Sequence, residues 1–395
     1  MKHNRGQLID VDSVDEFDRR LSAHPDAAAT STGPADDPTT SPGRVDDPTT
    51  SPGRVDDPTT STLTGWRIHG LDLRERTETV LGCRVSGSLF LGCTFAPGVE
   101  QLITDRGGLI FPTVPETPVT VDRQNLYTAG ELYGDGAYPV SLDARTYAWS
   151  QQPPTEETAL AERLHDHSVS VALEEWVRGR RIAGVMGGHA VHRGTPPYAQ
   201  AALLGHLLGQ SATVATGGGP GAMEAANLGS RLAVHDRQVL DSALRTVAEV
   251  PSFAPDIGAW SAAAFEVIGR FAEPVESLGI PTWHYGHEPP NPFPTAIAKF
   301  FGNPVREAVL LEICNAGIVF LPGAAGTVQE IFADACENYY AHPSALAPMI
   351  LVDTHHWTEV LPVWPLLRAL AADRAMQDRI HLVDTVEEAA ELIIG

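Results

Sequence analysis

The sequence predicts an α/β protein, a doubly wound parallel sheet covered by helices on both faces, preceded by a smaller β-rich domain. Two observations carry this. From about residue 159 onward, short runs that are apolar throughout alternate with stretches patterned for helices, as expected of strands buried on both faces. Glycine-rich turns follow three of those runs, at 187–189, 217–221 and 322–326, where each strand would hand over to a helix. The chain has 395 residues, of which 43% are hydrophobic, enough for a substantial core in two domains joined by a linker.

In chain order, Val11, Val14, Phe17 and Leu21 recur at helical spacing, which assigns a short helix to residues 1–25. Residues 36–45 recur at 46–55, and the first six of them again at 56–61. Dense in proline and poor in apolar side chains, 26–62 reads as a disordered linker. Residues 63–152 turn to short β-type runs. Leu81-Gly-Cys83 is echoed by Leu91-Gly-Cys93, with Val85, Leu89 and Phe90 between, which suggests stacked strands or a small β-solenoid-like unit. Aromatics at 107–112 and 126–133 are assigned to packing.

The main domain is placed at 159–395. Its predicted order is helix 161–177, strand 182–186, helix 197–208, strand 212–216, helices 221–233 and 256–271, then strand 280–285. Helix 294–314, strand 317–321, helix 326–340, strand 348–353, helix 356–372, strand 380–383 and helix 385–394 complete it.

Two turns carry chemistry. In Leu321-Pro-Gly-Ala-Ala-Gly-Thr-Val-Gln-Glu330 a buried strand meets a helix start, whose free N–H groups and positive dipole end suit an anion without any lysine. Glu330 falls one turn inside, on the face of Thr327. The same Thr-x-x-Glu spacing also reads as a capping box. The second turn, at Gly217, Gly218, Gly219 and Gly221, has Glu224 in the first turn of its helix, where the carboxylate suits either ribose hydroxyls or the helix dipole. A dinucleotide fingerprint through Gly217, Gly219 and Ala222 fits poorly, because a strand and helix already precede it.

Together these stretches resemble the Lonely Guy family of nucleotide phosphoribohydrolases, whose pattern is P-G-G-x-G-T-x-x-E with an upstream G-G-G-x-x-G and an arginine shortly before the first. Pro322, Gly323, Gly326, Thr327 and Glu330 match; Gly217, Gly218, Gly219 and Met223 fall in the second pattern, with Gly221 closely placed, and Arg306 stands where the arginine would. The second family glycine is Ala324 here, a methyl that would be awkward at positive φ or against a close phosphate. The resemblance runs from about Arg181 to the C-terminus.

The resemblance implies a Rossmann-like fold and cleavage of a nucleoside 5′-monophosphate into free base and ribose 5-phosphate. The long form is closer to the general nucleosidases than to the shorter plant-type hormone-activating enzymes. It makes Arg306 and Glu330 the catalytic pair and points phosphate and ribose contacts to Gly217, Gly218, Gly219, Gly221, Gly323, Ala324, Ala325, Gly326 and Thr327, with Glu224 placed for ribose if it is not serving the helix dipole. It also implies a homo-oligomer, dimer or larger. His287, Glu288 and Asn291, in a segment rich in stacking and hydrogen-bonding groups, are assigned to the base. The alternative is a non-catalytic nucleotide-binding or sensor protein on the same fold.

Composition narrows the partners. A formal charge of −23 argues against a nucleic-acid backbone. Lys2 and Lys299 are the only lysines, so a pyridoxal-phosphate decarboxylase, which needs a Schiff-base lysine, is rejected and no cofactor is expected. Cys83, Cys93, Cys314 and Cys336 show no C-x-x-C spacing and read as buried free thiols, and no metal-ligand spacing is present, His165 and His167 standing isolated. With no apolar leader segment and no membrane-spanning run, a cytoplasmic protein without a membrane partner is expected.

Overall fold

The computed structural model describes residues 9–11, 13–23, 61–111, 117–271, 273–284 and 288–395. Most of the linker expected at 26–62 lies outside the described residues. The chain divides into two compact units, Met1–Pro115 and Glu116–Gly395.

The first unit runs β1 (Ile9–Val11), α1 (Val14–Ala23), β2 (Trp66–His69), α2 (Thr77–Gly82), β3 (Leu89–Leu91), α3 (Val99–Asp105) and β4 (Leu109–Phe111). Its four strands pair in sequence order and all in parallel, with Arg67 beside Leu89 and Leu89 beside Leu109. The N-terminal helix therefore belongs to this unit, because β1 before it joins the sheet. Strands stack as expected, but the repeat is not the Leu-Gly-Cys echo, since Gly82 closes α2 whereas Gly92 turns the chain after β3. The stacking is set by turns, in which Gly65 N–H donates to Gly87 O at 3.0 Å and Gly87 N–H to Gly107 O at 3.1 Å. Val11, Phe17, Trp66, Ile68, Phe90 and Ile103 fill the core beneath.

The second unit's first helices are α4 (Ala129–Tyr133) and α5 (Leu142–Ser150), so residues 117–152, expected in the β-rich domain, belong to this unit and carry helices rather than stacked strands. There follow α6 (Glu156–Val177), β5 (Ile182–Met186), α7 (Pro196–Leu208), β6 (Thr213–Thr216), α8 (Ala222–Arg231), α9 (Arg237–Ala248), α10 (Ile257–Arg270), β7 (Ser277–Gly279) and β8 (Ala296–Ile297). Next come α11 (Asn303–Glu312), β9 (Gly317–Phe320), α12 (Ala325–Tyr340), β10 (Met349–Val352), α13 (Val363–Ala371), β11 (Ile380–Val383) and α14 (Val386–Ile394).

The seven strands form one parallel sheet in the order β11-β10-β9-β5-β6-β7-β8. The chain starts at the centre with β5, works outward to β8, and returns to lay β9 on the other side of β5. Strand order thus reverses between β5 and β9, the point at which doubly wound sheets open a ligand crevice. Side chains alternate between two cores: Ile182 and Met186 enter one cluster, Ala183 and Val185 the other. This is the Rossmann-like α/β architecture.

Three elements differ from expectation for local reasons. The strand expected at 280–285 lies at Ser277–Gly279, since Pro281 has no N–H to continue the ladder. The helix expected at 294–314 starts only at Asn303; the extended chain before it pairs with β7 and with Tyr127, and Pro304 sits in the first turn. The helix expected at 356–372 is broken at Leu361-Pro362 into a π-turn at His356–Val360 and α13. Helix α9 was not anticipated.

Helices α7 and α8 approach so closely that a Cβ on Gly229 would stand 1.8 Å from the Ala202 carbonyl oxygen. Gly229→Ala is expected to force the helices apart and lower stability by at least about 1–3 kcal/mol, read as a fall in the urea midpoint.

Candidate functional site

Three turns lie side by side at the carboxyl ends of β9, β5 and β6. The middle one binds both neighbours: Gly188 N–H donates to Pro322 O at 3.2 Å, and Gly188 O accepts from Ala222 N–H at 3.0 Å. Gly221, at φ +78, must be bare here, because a Cβ would stand 2.5 Å from Gly188 O.

The turn into α12 is open. Ala324 is its N-cap, at φ −117 and ψ −144, with no side-chain cap bond. The methyl of Ala324 therefore brings no left-handed backbone strain, and the position does not need glycine. The capping box is not formed, since Thr327 and Glu330 are both inside the helix rather than at its cap. Val328 N–H donates to Ala324 O at 3.0 Å as the first helical bond, so the N–H groups of Ala325, Gly326 and Thr327 have no acceptor within the helix. Ala324, Ala325 and Gly326 are exposed, and nothing stands within 4 Å of a Cβ position on Gly326.

The turn after β6 is braced from α11. Arg306 donates from Nη2 to Gly217 O at 3.1 Å and from Nε to Ile280 O at 2.7 Å. Gly217 makes room for it: a Cβ there would lie 2.4 Å from Arg306 Nη2. With two donors committed to main-chain carbonyls, the buried guanidinium is a fixed charge rather than a swinging clamp. Its field reaches Glu330, which is half-buried on α12. Burial pushes the Glu330 carboxyl up to about 7, with Arg306 pulling it down and Glu307 pushing it further up.

Other expected residues are not brought to this site. Glu224 is fully buried and accepts from Arg193 Nε at 2.7 Å, so it is not free for ribose hydroxyls. Asn291 is also buried and braces the triple-glycine turn: its N–H donates to Gly218 O at 2.8 Å and its Nδ2 to Gly219 O at 3.1 Å. It holds backbone rather than reading a base. Glu288 stands over the same turn, 3.8 Å from His189 Nε2, and His287 lies outside the described residues.

One residue near the site was missed. His356 Nε2 lies 3.1 Å from Gly323 O, held there because Asp353, at φ +82, turns the chain after β10 and accepts from His356 N–H at 2.9 Å. Its signal was position alone, at the carboxyl end of a strand beside β9. His165 is buried between Tyr127 OH at 2.7 Å and Asp166 Oδ1 at 3.2 Å. Among the described residues no group of side chains suits a metal ion, and no helix is long and apolar enough to cross a membrane. All four cysteines are free thiols; Cys83, Cys93 and Cys314 are buried, whereas Cys336 is exposed, contrary to expectation.

No family model matches the chain, and no curated protein matches it. Solved structures similar to it include a molybdenum cofactor binding protein from Rippkaea orientalis, 17% identical, covering 55% of this chain and 96% of that one at a TM-score of 0.34. The structural-genomics target TM1055 is 21% identical over 53% of this chain and 97% of its own, at 0.35. A molybdenum cofactor carrier protein from Chlamydomonas reinhardtii is 15% identical over 54% and 96%, at 0.31.

One turn beyond Glu330, Asp334 is buried with Oδ2 lacking a hydrogen-bond partner, and burial, reinforced by Glu337, pushes its carboxyl up to about 8. A raised folded-state value means that stability is full below the unfolded value near 4 and is lost as pH rises toward 8. Asp334→Asn should therefore unfold like wild type at pH 4 and at a higher urea midpoint than wild type at pH 8.5.

Proposed function

We propose that the second unit hydrolyses the N-glycosidic bond of a nucleoside 5′-monophosphate, releasing free base and ribose 5-phosphate. The resemblance to the Lonely Guy family motivates this reading, and one observation carries it. Arg306, bonded to the carbonyl of Gly217 in one glycine turn, lies within electrostatic reach of Glu330 on the helix that leaves another. Glu330 also lies one turn inside the helix whose first N–H groups have no acceptor within it.

In this reading the 5′-phosphate rests on the N–H groups of Ala325, Gly326 and Thr327, favoured by the helix dipole. The anomeric carbon then faces Glu330. As the bond from that carbon to the base nitrogen breaks, its electron pair leaves with the base and positive charge builds on the ribose. Ionised Glu330 stabilises that charge and takes a proton from the water that adds at the anomeric carbon, while the departing base is protonated by solvent. Arg306 favours the ionised form of Glu330 and holds the triple-glycine turn in place. A homo-oligomer accompanies this reading, from the family resemblance.

Incubation with AMP, GMP, CMP and UMP, scoring free base and ribose 5-phosphate, tests it. Turnover should rise with pH through about 7, as Glu330 ionises. Glu330→Gln should lower it by roughly 10²-fold or more and remove that rise, and Arg306→Ala should lower it similarly. Equal turnover in wild type and Glu330→Gln would remove the carboxylate from the mechanism. Binding without release of base would select a nucleotide-binding protein in place of the enzyme.

A further inference from the structure

The second unit contains a cleft of about 380 Å3, lined among others by Trp149, Gln152, Glu162, Trp283, His284 and Phe301. Its deepest side chains are held rigidly. Trp283 stacks on Phe301 with ring centres 4.6 Å apart and planes 29° apart, and Trp149 meets Phe301 edge-on at 5.6 Å. The indole N–H of Trp283 donates to Asp143 Oδ1 at 2.9 Å. That oxygen also receives Lys299 Nζ at 2.5 Å, while Tyr138 OH donates to Asp143 Oδ2 at 2.8 Å. Lys299 Nζ lies 4.9 Å from the centre of the Trp283 ring. Burying an ion pair is a poor way to gain stability, because desolvation offsets most of the attraction, but it fixes orientation. Here what it fixes is one aromatic side chain of the cleft.

The chain connects this cleft to the Arg306 site twice. Ile280, whose carbonyl accepts from Arg306 Nε, precedes Trp283 by three residues, roughly 10 Å of extended chain at most. Phe301 directly precedes Gly302, the N-cap of α11, and Arg306 lies one turn along that helix. Arg306 N–H donates to Gly302 O at 3.2 Å.

We propose that this cleft is the base subsite, receiving the flat purine or pyrimidine ring of the nucleotide whose phosphate rests on α12; the inference rests on the hydrolase reading above. Trp283 and Phe301 are buried against each other and form the floor of the cleft, whereas Trp149 is only partly buried and can offer a ring to the π-surface that every base presents. Its polar edge meets the Gln152 carboxamide and the Glu162 carboxyl. Burial, aided by the nearby Asp166 charge, raises the Glu162 carboxyl, which widens the pH range in which it can donate as well as accept. The subsite is thus built by α5, α6 and the loop after β7, not by Asn291, which is committed to the glycine turn.

The full chain is titrated by calorimetry with adenine, uracil and ribose 5-phosphate, in wild type, Trp149→Ala, Trp149→Phe and Gln152→Ala. Adenine is expected to bind wild type, to weaken on the order of tenfold in Trp149→Ala, and to recover in Trp149→Phe. Ribose 5-phosphate is expected to bind all four alike. The cleft is overturned as base subsite if neither base binds wild type, if adenine affinity is unchanged in both alanine variants, or if ribose 5-phosphate weakens in parallel with adenine. Failure of ribose 5-phosphate to bind wild type, with adenine still responding to Trp149, would instead sink the hydrolase reading and leave the cleft as a site for a planar heterocycle.

Discussion

The candidate site depends on a main-chain contact at a single residue, Gly188. Its N–H is bonded to the turn after β9 and its carbonyl to the first residue of α8, so two helix starts from different parts of the chain are held in fixed relation across β5. Only at the reversal of strand order do the ends of β9 and β6 flank one strand closely enough for this. The contact requires backbone on both sides, which explains why Gly221, opposite Gly188 O, tolerates no side chain. Everything chemical about the site follows from that convergence: an arginine bonded to one turn acts on a carboxyl beyond the other.

Electrostatics then separates the acidic residues of this region by their surroundings. Glu224 is buried and bonded to Arg193, whose attraction only partly offsets the burial that raises its carboxyl. Glu330 is half-buried beside a cation and a second carboxyl, so its charge is balanced close to neutrality of pH. Asp334 is more deeply buried, and burial with the neighbouring Glu337 pushes its carboxyl up to about 8. Burial raises all three carboxyls, and of them only Glu330 combines partial exposure with a value near 7.

The doubly wound sheet was legible because strands such as Ile182–Met186 and Met349–Val352 are apolar throughout and end in turn-forming residues, a pattern set by burial on both faces. Boundaries failed where proline or a short bridge overrode periodicity, at Pro281, at the extended chain before Asn303 and at Pro362. The site was legible in part. Glycine spacing marked the turns, and the placing of Arg306 and Glu330 relied on motif resemblance. What spacing cannot express is competition for a side chain. Nothing near Glu224 in sequence announces Arg193, and nothing near Asn291 announces the carbonyls of Gly218 and Gly219. The cleft beside Trp283 was illegible for the same reason, since Asp143 and Lys299 are far apart along the chain and meet only in the fold.

Lys299 has a practical meaning apart from any ligand. It is the only lysine in the second unit, since the other is Lys2, and its side chain is 1% exposed with the ammonium bonded to Asp143. An acylating or methylating reagent can reach that nitrogen only after Asp143 and the Trp283 layer have parted. The rate at which Lys299 acquires a label is therefore a built-in clock for the opening of this corner of the molecule, read by mass spectrometry from a single peptide.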